Sequence, residues 1–147
     1  MRLEDKILIH RPVRQVYGLA SDVERHTRLL PGYLESRIIS QPKAPCILQR
    51  EAIINGRRRR WKSEVTFEPG RALHFRQVEG PLTGMQVSWE FIPEGNMTWL
   101  KITHDVRVRS WWKKWWMERW VAKPSIEKTA RAVLAAIKTS SENAGEI

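Results

Sequence analysis

The sequence predicts an α+β domain: a seven-stranded antiparallel sheet, two short helices between strands 1 and 2, and one long C-terminal helix. Three observations carry this. From Tyr33 to Val108 the apolar residues recur with a period of two, between turn signals spaced closely enough to join only antiparallel neighbours. Between Pro12 and Leu30 and after Ile126 they recur with the helical period instead. The apolar face of so large a sheet also needs a cover, and the C-terminal helix is the only long candidate. A chain of 147 residues suits one domain spanning residues 1–147.

Leu3–His10 reads as the first strand. Pro12 stands at a first helical position, followed by Val13, Val16, Tyr17 and Ala20 at helical spacing. Ser21 or Asp22 can cap a second short helix that ends near Leu30, before Pro31-Gly32. Tyr33–Gln41 and Ile47–Ile54 are the next strands, and Asn55-Gly56 is the signature of a two-residue type I′ hairpin. Arg57–Glu68 sets Trp61, Ser63, Val65 and Phe67 on one parity. Pro69-Gly70 turns into Arg71–Glu79, where Leu73, Phe75 and Gln77 share a face. After Gly80-Pro81, Met85–Pro93 aligns Val87, Trp89 and Phe91. Glu94-Gly95-Asn96 then leads into Thr98–Val108, where Leu100, Ile102, His104 and Val106 alternate with polar residues. The C-terminal helical segment is expected over residues 111–142. Pro124, which lacks an N–H and crowds the carbonyl of Trp120, should kink it. Ile126, Ala130, Val133, Leu134 and Ile137 form its apolar stripe, and the chain after Ser141 is expected to fray.

Composition narrows the function classes. Hydrophobic residues at 41% and charged residues at 29% are too core-rich for a disordered chain. Apolar runs of only a few residues exclude a membrane-spanning helix, and MRLEDKILIH lacks a signal-peptide core, so a cytoplasmic location is expected. Cys46 stands alone, which excludes an intrachain disulfide and a cysteine-cluster zinc site. There is no P-loop, G-x-S-x-G, H-E-x-x-H or C-x-x-C, and the four histidines are scattered, so neither a metal nor a cofactor is expected. His104 and Asp105 are strand neighbours that point to opposite faces, so they cannot act as an acid–base dyad.

Two quantities stand out: a net charge of +10 and eight Trp. They coincide between Arg107 and Lys123, where six cations and five Trp meet a single acid, Glu118. On a helical wheel Trp111, Trp112, Trp115, Trp116 and Trp120 cover half the circumference, about 1,000 Å² of apolar surface at roughly 200 Å² each. One reading makes Trp112, Trp115 and Trp116 a cavity wall with Trp111 and Trp120 at its rim. The other docks this surface on an anionic bilayer through Trp111 and Trp120 with Lys113, Lys114 and Arg119, at the inner membrane face. In the run Arg57–Arg60, alternation puts Arg57 and Arg59 on the Trp61 face and Arg58 and Arg60 on the other. A solvated strand end is the first reading of that run, a phosphate or headgroup contact the second, and RNA the last; nucleic acid is not an expected partner.

The order of elements, the opening I-x-x-P-V-x-x-V-Y (Ile9 to Tyr17), Ser21-Asp22, Leu30-Pro31-Gly32, Trp89-x-Phe91-x-Pro93 and the final strand before one long helix resemble the helix-grip (START-like) superfamily, which includes the birch-pollen-allergen proteins. Within it the chain looks most like the bacterial polyketide cyclase/dehydrase group, whose relatives include coenzyme-Q-binding START-like proteins. The resemblance covers nearly the whole chain and implies a curved sheet wrapped around the C-terminal helix. Between them it implies a cavity for a lipid-, quinone-, sterol- or polyketide-like molecule. By strand parity the inward set is Trp61, Val65, Phe67, Leu73, Phe75, Gln77, Val87, Trp89, Phe91, Leu100, Ile102, His104 and Val106. The ligand contacts then expected are Trp61, Phe75, Gln77, Trp89, Phe91 and His104 from the sheet and Trp112, Trp115 and Trp116 from the helix. A filled core, with His104 satisfied by a neighbouring side chain, is the competing expectation. Binding or carriage of a hydrophobic small molecule is the first functional reading. A polyketide cyclase or aromatase, with Glu79, Gln77 and His104 assisting proton transfer, is the alternative. A nucleic-acid-binding module rests on charge alone.

Overall fold

The computed structural model describes residues 2–42, 45–106 and 122–144. In chain order they form β1 (Arg2–Ile9), α1 (Val13–Ala20), a 3-10 turn (Val23–Arg25) running into α2 (His26–Leu29), β2 (Tyr33–Ile38), β3 (Cys46–Ile54), β4 (Arg57–Glu68), β5 (Ala72–Glu79), β6 (Gln86–Glu94), β7 (Met97–Asp105) and α3 (Ala122–Asn143). The seven strands make one sheet in the order β1-β7-β6-β5-β4-β3-β2, every pair antiparallel. Six strands therefore follow one another by hairpins, and β1 closes against the last. Asn55 and Gly56 adopt φ of 52° and 74°, the left-handed pair that a type I′ turn requires and that these two residues tolerate.

Register brings the alternating apolar residues onto one face. Leu73 stands opposite both Phe67 and Trp89, Trp89 opposite Ile102, and Phe91 opposite Leu100. Against that face α3 sets Ile126, Ala130, Val133, Leu134 and Ile137, all buried. Each large side chain removed from water in this way contributes about 1.5–3 kcal/mol. Val16 and Ala20 of α1 and Leu30 complete the core.

Four details differ from the sequence reading. The segment after Ala20 is a 3-10 turn plus one short helical turn. Neither Ser21 nor Asp22 caps it through a side chain, and Asp22 instead pairs with Arg25 at 3.3 Å. β2 ends at Ile38, short of Gln41. Phe67, expected inward, is 37% exposed. β3 begins at Cys46 opposite Val65, so Phe67 overhangs it and has a strand neighbour only in β5. Finally, α3 is ordered through Asn143, because its end is tied to β1 and α1. Lys138 Nζ donates to the Leu8 carbonyl at 2.9 Å and pairs with Glu142 at 2.6 Å, and the His10 N–H donates to Glu142 Oε2 at 3.2 Å. Arg11 donates to the Glu142 carbonyl and Gln15 to that of Ser141. The expected helix start near residue 111 and its kink against Trp120 lie outside the described residues.

Candidate ligand-binding cavity

Between sheet and helix one end is filled and the other is open. At the filled end Phe91 sits opposite Leu100 and meets Tyr17 of α1 edge-on, with ring centroids 5.2 Å apart. Phe91 is therefore corrected from a ligand contact to a core residue, because α1 occupies the space in front of it. At the open end lies a cavity of about 490 Å³, within the range of about 300–1,000 Å³ common for small-molecule sites. Its walls are Trp61, Phe75, Val87, Trp89 and Ile102 from the sheet and Ile126, Ala130 and Val133 from α3. Pro81, Leu82 and Met85 of the β5–β6 connection border it, and Asn55 at the hairpin tip donates a hydrogen bond to Ser125 Oγ on α3. Among the described residues, side chains therefore leave this end unfilled, unlike the competing expectation of a filled core.

Of the residues predicted from the sequence, Trp61, Phe75, Gln77, Trp89 and His104 all line the cavity. Trp112, Trp115 and Trp116, together with Trp111, Trp120, Lys113, Lys114 and Arg119, lie outside the described residues. Glu79 does not reach the cavity; it pairs with Lys62 at 3.0 Å and is largely exposed. Gln77 is 5% exposed, and among the described residues its Oε1 has no hydrogen-bond partner. Its position depends on Gly80, whose φ of 134° suits glycine. A Cβ there would stand 2.7 Å from Trp61 Cβ and 2.9 Å from Gln77 Nε2. Burial alone lowers the His104 pKa from 6.5 to about 4, so this ring is neutral at pH 7 and able to donate or accept one hydrogen bond.

The polar residue that sequence reasoning missed is Arg50. It lines the cavity at 4% exposure, with its guanidinium over the faces of Tyr33 and Phe75 at 5.2 and 5.1 Å. One of its N–H groups donates to His26 Nδ1 at 3.0 Å, while His26 Nε2 donates to the Ala20 carbonyl at 2.8 Å. The His26 ring stacks on Trp89 at 5.5 Å. Burial first, and the Arg50 charge second, lower the His26 pKa to about 3, so it is a neutral partner. Burial also lowers the Arg50 pKa from its ordinary value, yet a guanidinium stays charged at neutral pH. The signal was available: Arg50 shares its parity with Leu48 and Ala52, both buried. Alternation also divides the arginine run as expected. Arg57 and Arg59 line the cavity, whereas Arg58 and Arg60 pair on the other face with Glu51 at 2.9 and 3.2 Å. Among the described residues no three metal-ligating side chains converge, and no helix is long and apolar enough to cross a membrane.

A curved antiparallel sheet closed over a C-terminal helix, with an internal cavity between them, defines a helix-grip protein. The profile of the "polyketide cyclase / dehydrase and lipid transport" family matches residues 9–138, and the chain belongs to that family. Solved structures agree on the fold. The Zhui aromatase/cyclase from Streptomyces sp. R1128 superposes with a TM-score of 0.84 at 20% identity, over 97% of this chain and 93% of that one. A protein from Thermus thermophilus gives 0.81 at 19%, over 99% of both chains. A START superfamily protein from Mycobacterium smegmatis gives 0.73 at 15%, over 94% of this chain and 97% of that one. No curated protein matches the chain significantly.

Proposed function

We propose that this protein binds a hydrophobic small molecule, of lipid, quinone or polyketide-like type, in the cavity between sheet and α3, as a binding or carrier protein. The observation that carries the reading is the cavity itself: about 490 Å³ walled by Trp61, Phe75, Trp89, Val87, Ile102 and Val133. Its lining is mostly aromatic and aliphatic, which suits an apolar occupant. Membership of a family described by cyclisation and lipid transport supports the same class of ligand. Native mass spectrometry of freshly purified protein should detect a bound apolar species that is lost on denaturation. The neutral dye Nile red should bind with one site, and Ala130→Phe, which fills the cavity from α3, should abolish that binding. Dye binding unaffected by Ala130→Phe would contradict the reading.

A second reading, a cyclase or aromatase acting on a polyketide-like chain, is favoured by the neutral His104 and by Gln77, whose Oε1, unpartnered among the described residues, can accept a hydrogen bond from a bound enol or hydroxyl. In that reading the aromatic walls fold the chain, and His104 takes a proton from the carbon that attacks. Turnover of a reactive poly-β-ketone with loss of activity in His104→Ala would support it. Binding without turnover leaves the carrier reading standing.

A further inference from the structure

We propose that the cavity takes an amphipathic acid, a molecule with an apolar body and one anionic head such as a carboxylate, and that Arg50 receives the head at the inner wall. The inference rests on the cavity-binding reading and adds to it the head-group chemistry and the orientation of the ligand.

Among the described residues Arg50 is a buried cation that meets no carboxylate. Its N–H donors reach His26 Nδ1 and the Tyr33 hydroxyl, and among the described residues its Nε–H has no partner. His26 cannot supply charge, since its Nε2–H is committed to the Ala20 carbonyl and the ring is neutral. The neighbouring acid, Glu51, points to the opposite face and is held there by Arg58 and Arg60. Tyr33 and Phe75 flank the guanidinium with ring faces, and the Tyr33 hydroxyl also accepts a hydrogen bond from it; these contacts stabilise a cation without supplying a counter-charge. Burying a charge without a counter-charge is costly, and an apolar side chain would serve the fold at least as well. A bound anion removes that cost, and a carboxylate matches the planar fork with two parallel hydrogen bonds.

The rest of the lining points the same way. Among the described residues the cavity wall holds three arginines, Arg50, Arg57 and Arg59, and no Asp or Glu. Arg50 pairs across the strands with Trp61, and Arg59 and Arg57 follow Trp61 on the same face, two and four residues toward the hairpin tip. At about 3.3 Å of rise per residue they stand about 7 and 13 Å further out along β4. Arg57 and Arg59 are exposed, so water screens them and they act on approach, drawing an anion to the mouth. Arg50 is desolvated, so it forms the stronger contact. The head therefore lies innermost and the apolar body fills the space along Trp61, Trp89 and Val133.

Calorimetric titration of the full chain with dodecanoic acid, dodecanol and Nile red tests this. Dodecanoate should bind about tenfold or more tightly than dodecanol, as expected for hydrogen bonds to a charged group. Arg50→Gln, which keeps a donor for His26 and removes the charge, should bring dodecanoate to the level of dodecanol while changing dodecanol binding less than about threefold. Equal affinities for acid and alcohol, or a preference that survives Arg50→Gln, would overturn the assignment of the head while the cavity reading stands. Failure of all three probes to bind would overturn both. A readout in the unaltered protein covers the case in which the variant does not fold: dodecanoate labelled at its carboxyl carbon, followed by NMR, should titrate at least about one pH unit below the free acid. An ordinary or raised midpoint would sink the proposal.

Discussion

Replacing Trp89 with alanine probes both the packing of the sheet and the wall of the cavity. The indole is 4% exposed, stacks on His26 with ring planes 14° apart, and meets Phe75 at 5.3 Å. Burying about 200 Å² of aromatic surface at about 25 cal/mol per Å² is worth roughly 5 kcal/mol against an extended chain. A denatured ensemble that already hides part of that area lowers the figure to about 3–4 kcal/mol, and the lost ring contacts add about 0.5–1.5 kcal/mol. Because the new void opens into an existing cavity, the surroundings gain little by collapsing, and the loss should come to about 4 kcal/mol. For a chain of this length that lowers Tm by about 8–16 °C. Urea and thermal unfolding followed by circular dichroism read both quantities. A loss below about 1 kcal/mol would mean that the indole is not packed as described and would refute the register argument for β6.

Gly80→Ala should cost about 1–3 kcal/mol from backbone strain and contact with Trp61, and Nile red binding should weaken because Trp61 and Gln77 must move; unchanged stability and binding would count against the cavity geometry. His26 and His104 are held neutral, at about 3 and about 4 against 6.5, so the unfolded chain takes up protons that the native chain refuses. Their contribution is complete above pH 6.5 and is lost as pH falls, toward about 4 for His104 and about 3 for His26, and His104→Gln should flatten the stability profile between 6.5 and about 4 relative to the wild type. The segment carrying Trp111 and Trp120 with Lys113, Lys114 and Arg119 is proposed to dock on anionic lipid. The protein should then sediment with anionic but not neutral vesicles, and raising salt from about 0.05 to 0.5 M should release it. Lys113→Glu with Lys114→Glu should abolish sedimentation without unfolding the domain.

The parts of the fold that were legible in the sequence are those dictated by local chemistry. Asn55-Gly56 dictated a hairpin and its register, and the alternation of Val87, Trp89 and Phe91 dictated which face meets the helix. Parity, however, assigns a face and not a position along it. Phe91 and Trp89 share a face, yet only Trp89 borders the cavity, because α1 packs in front of Phe91, and that depends on where the chain between β1 and β2 folds back. Phe67 likewise obeys parity but extends past the start of β3. Trp61, Phe75, Gln77, Trp89 and His104 were legible because aromatic and polar groups interrupt an aliphatic face. Arg50 is not legible in the sequence because a charge on an apolar parity reads as the polar side of a strand. Only its neighbours Leu48 and Ala52, and the aromatic collar of Tyr33 and Phe75 brought from β2 and β5, reveal that it is buried.

The space between sheet and α3 is the proposed ligand site. Amide and indole chemical-shift mapping by NMR, during titration with dodecanol, tests it most directly. Shifts should concentrate at Trp61, Phe75, Val87, Trp89, Ile102, Ala130 and Val133, with Phe91 and the opposite face of the sheet unmoved. Shifts centred on the exposed face around Ile53 and Ile92, or a titration that leaves both Trp61 and Trp89 indole signals in place, would contradict it.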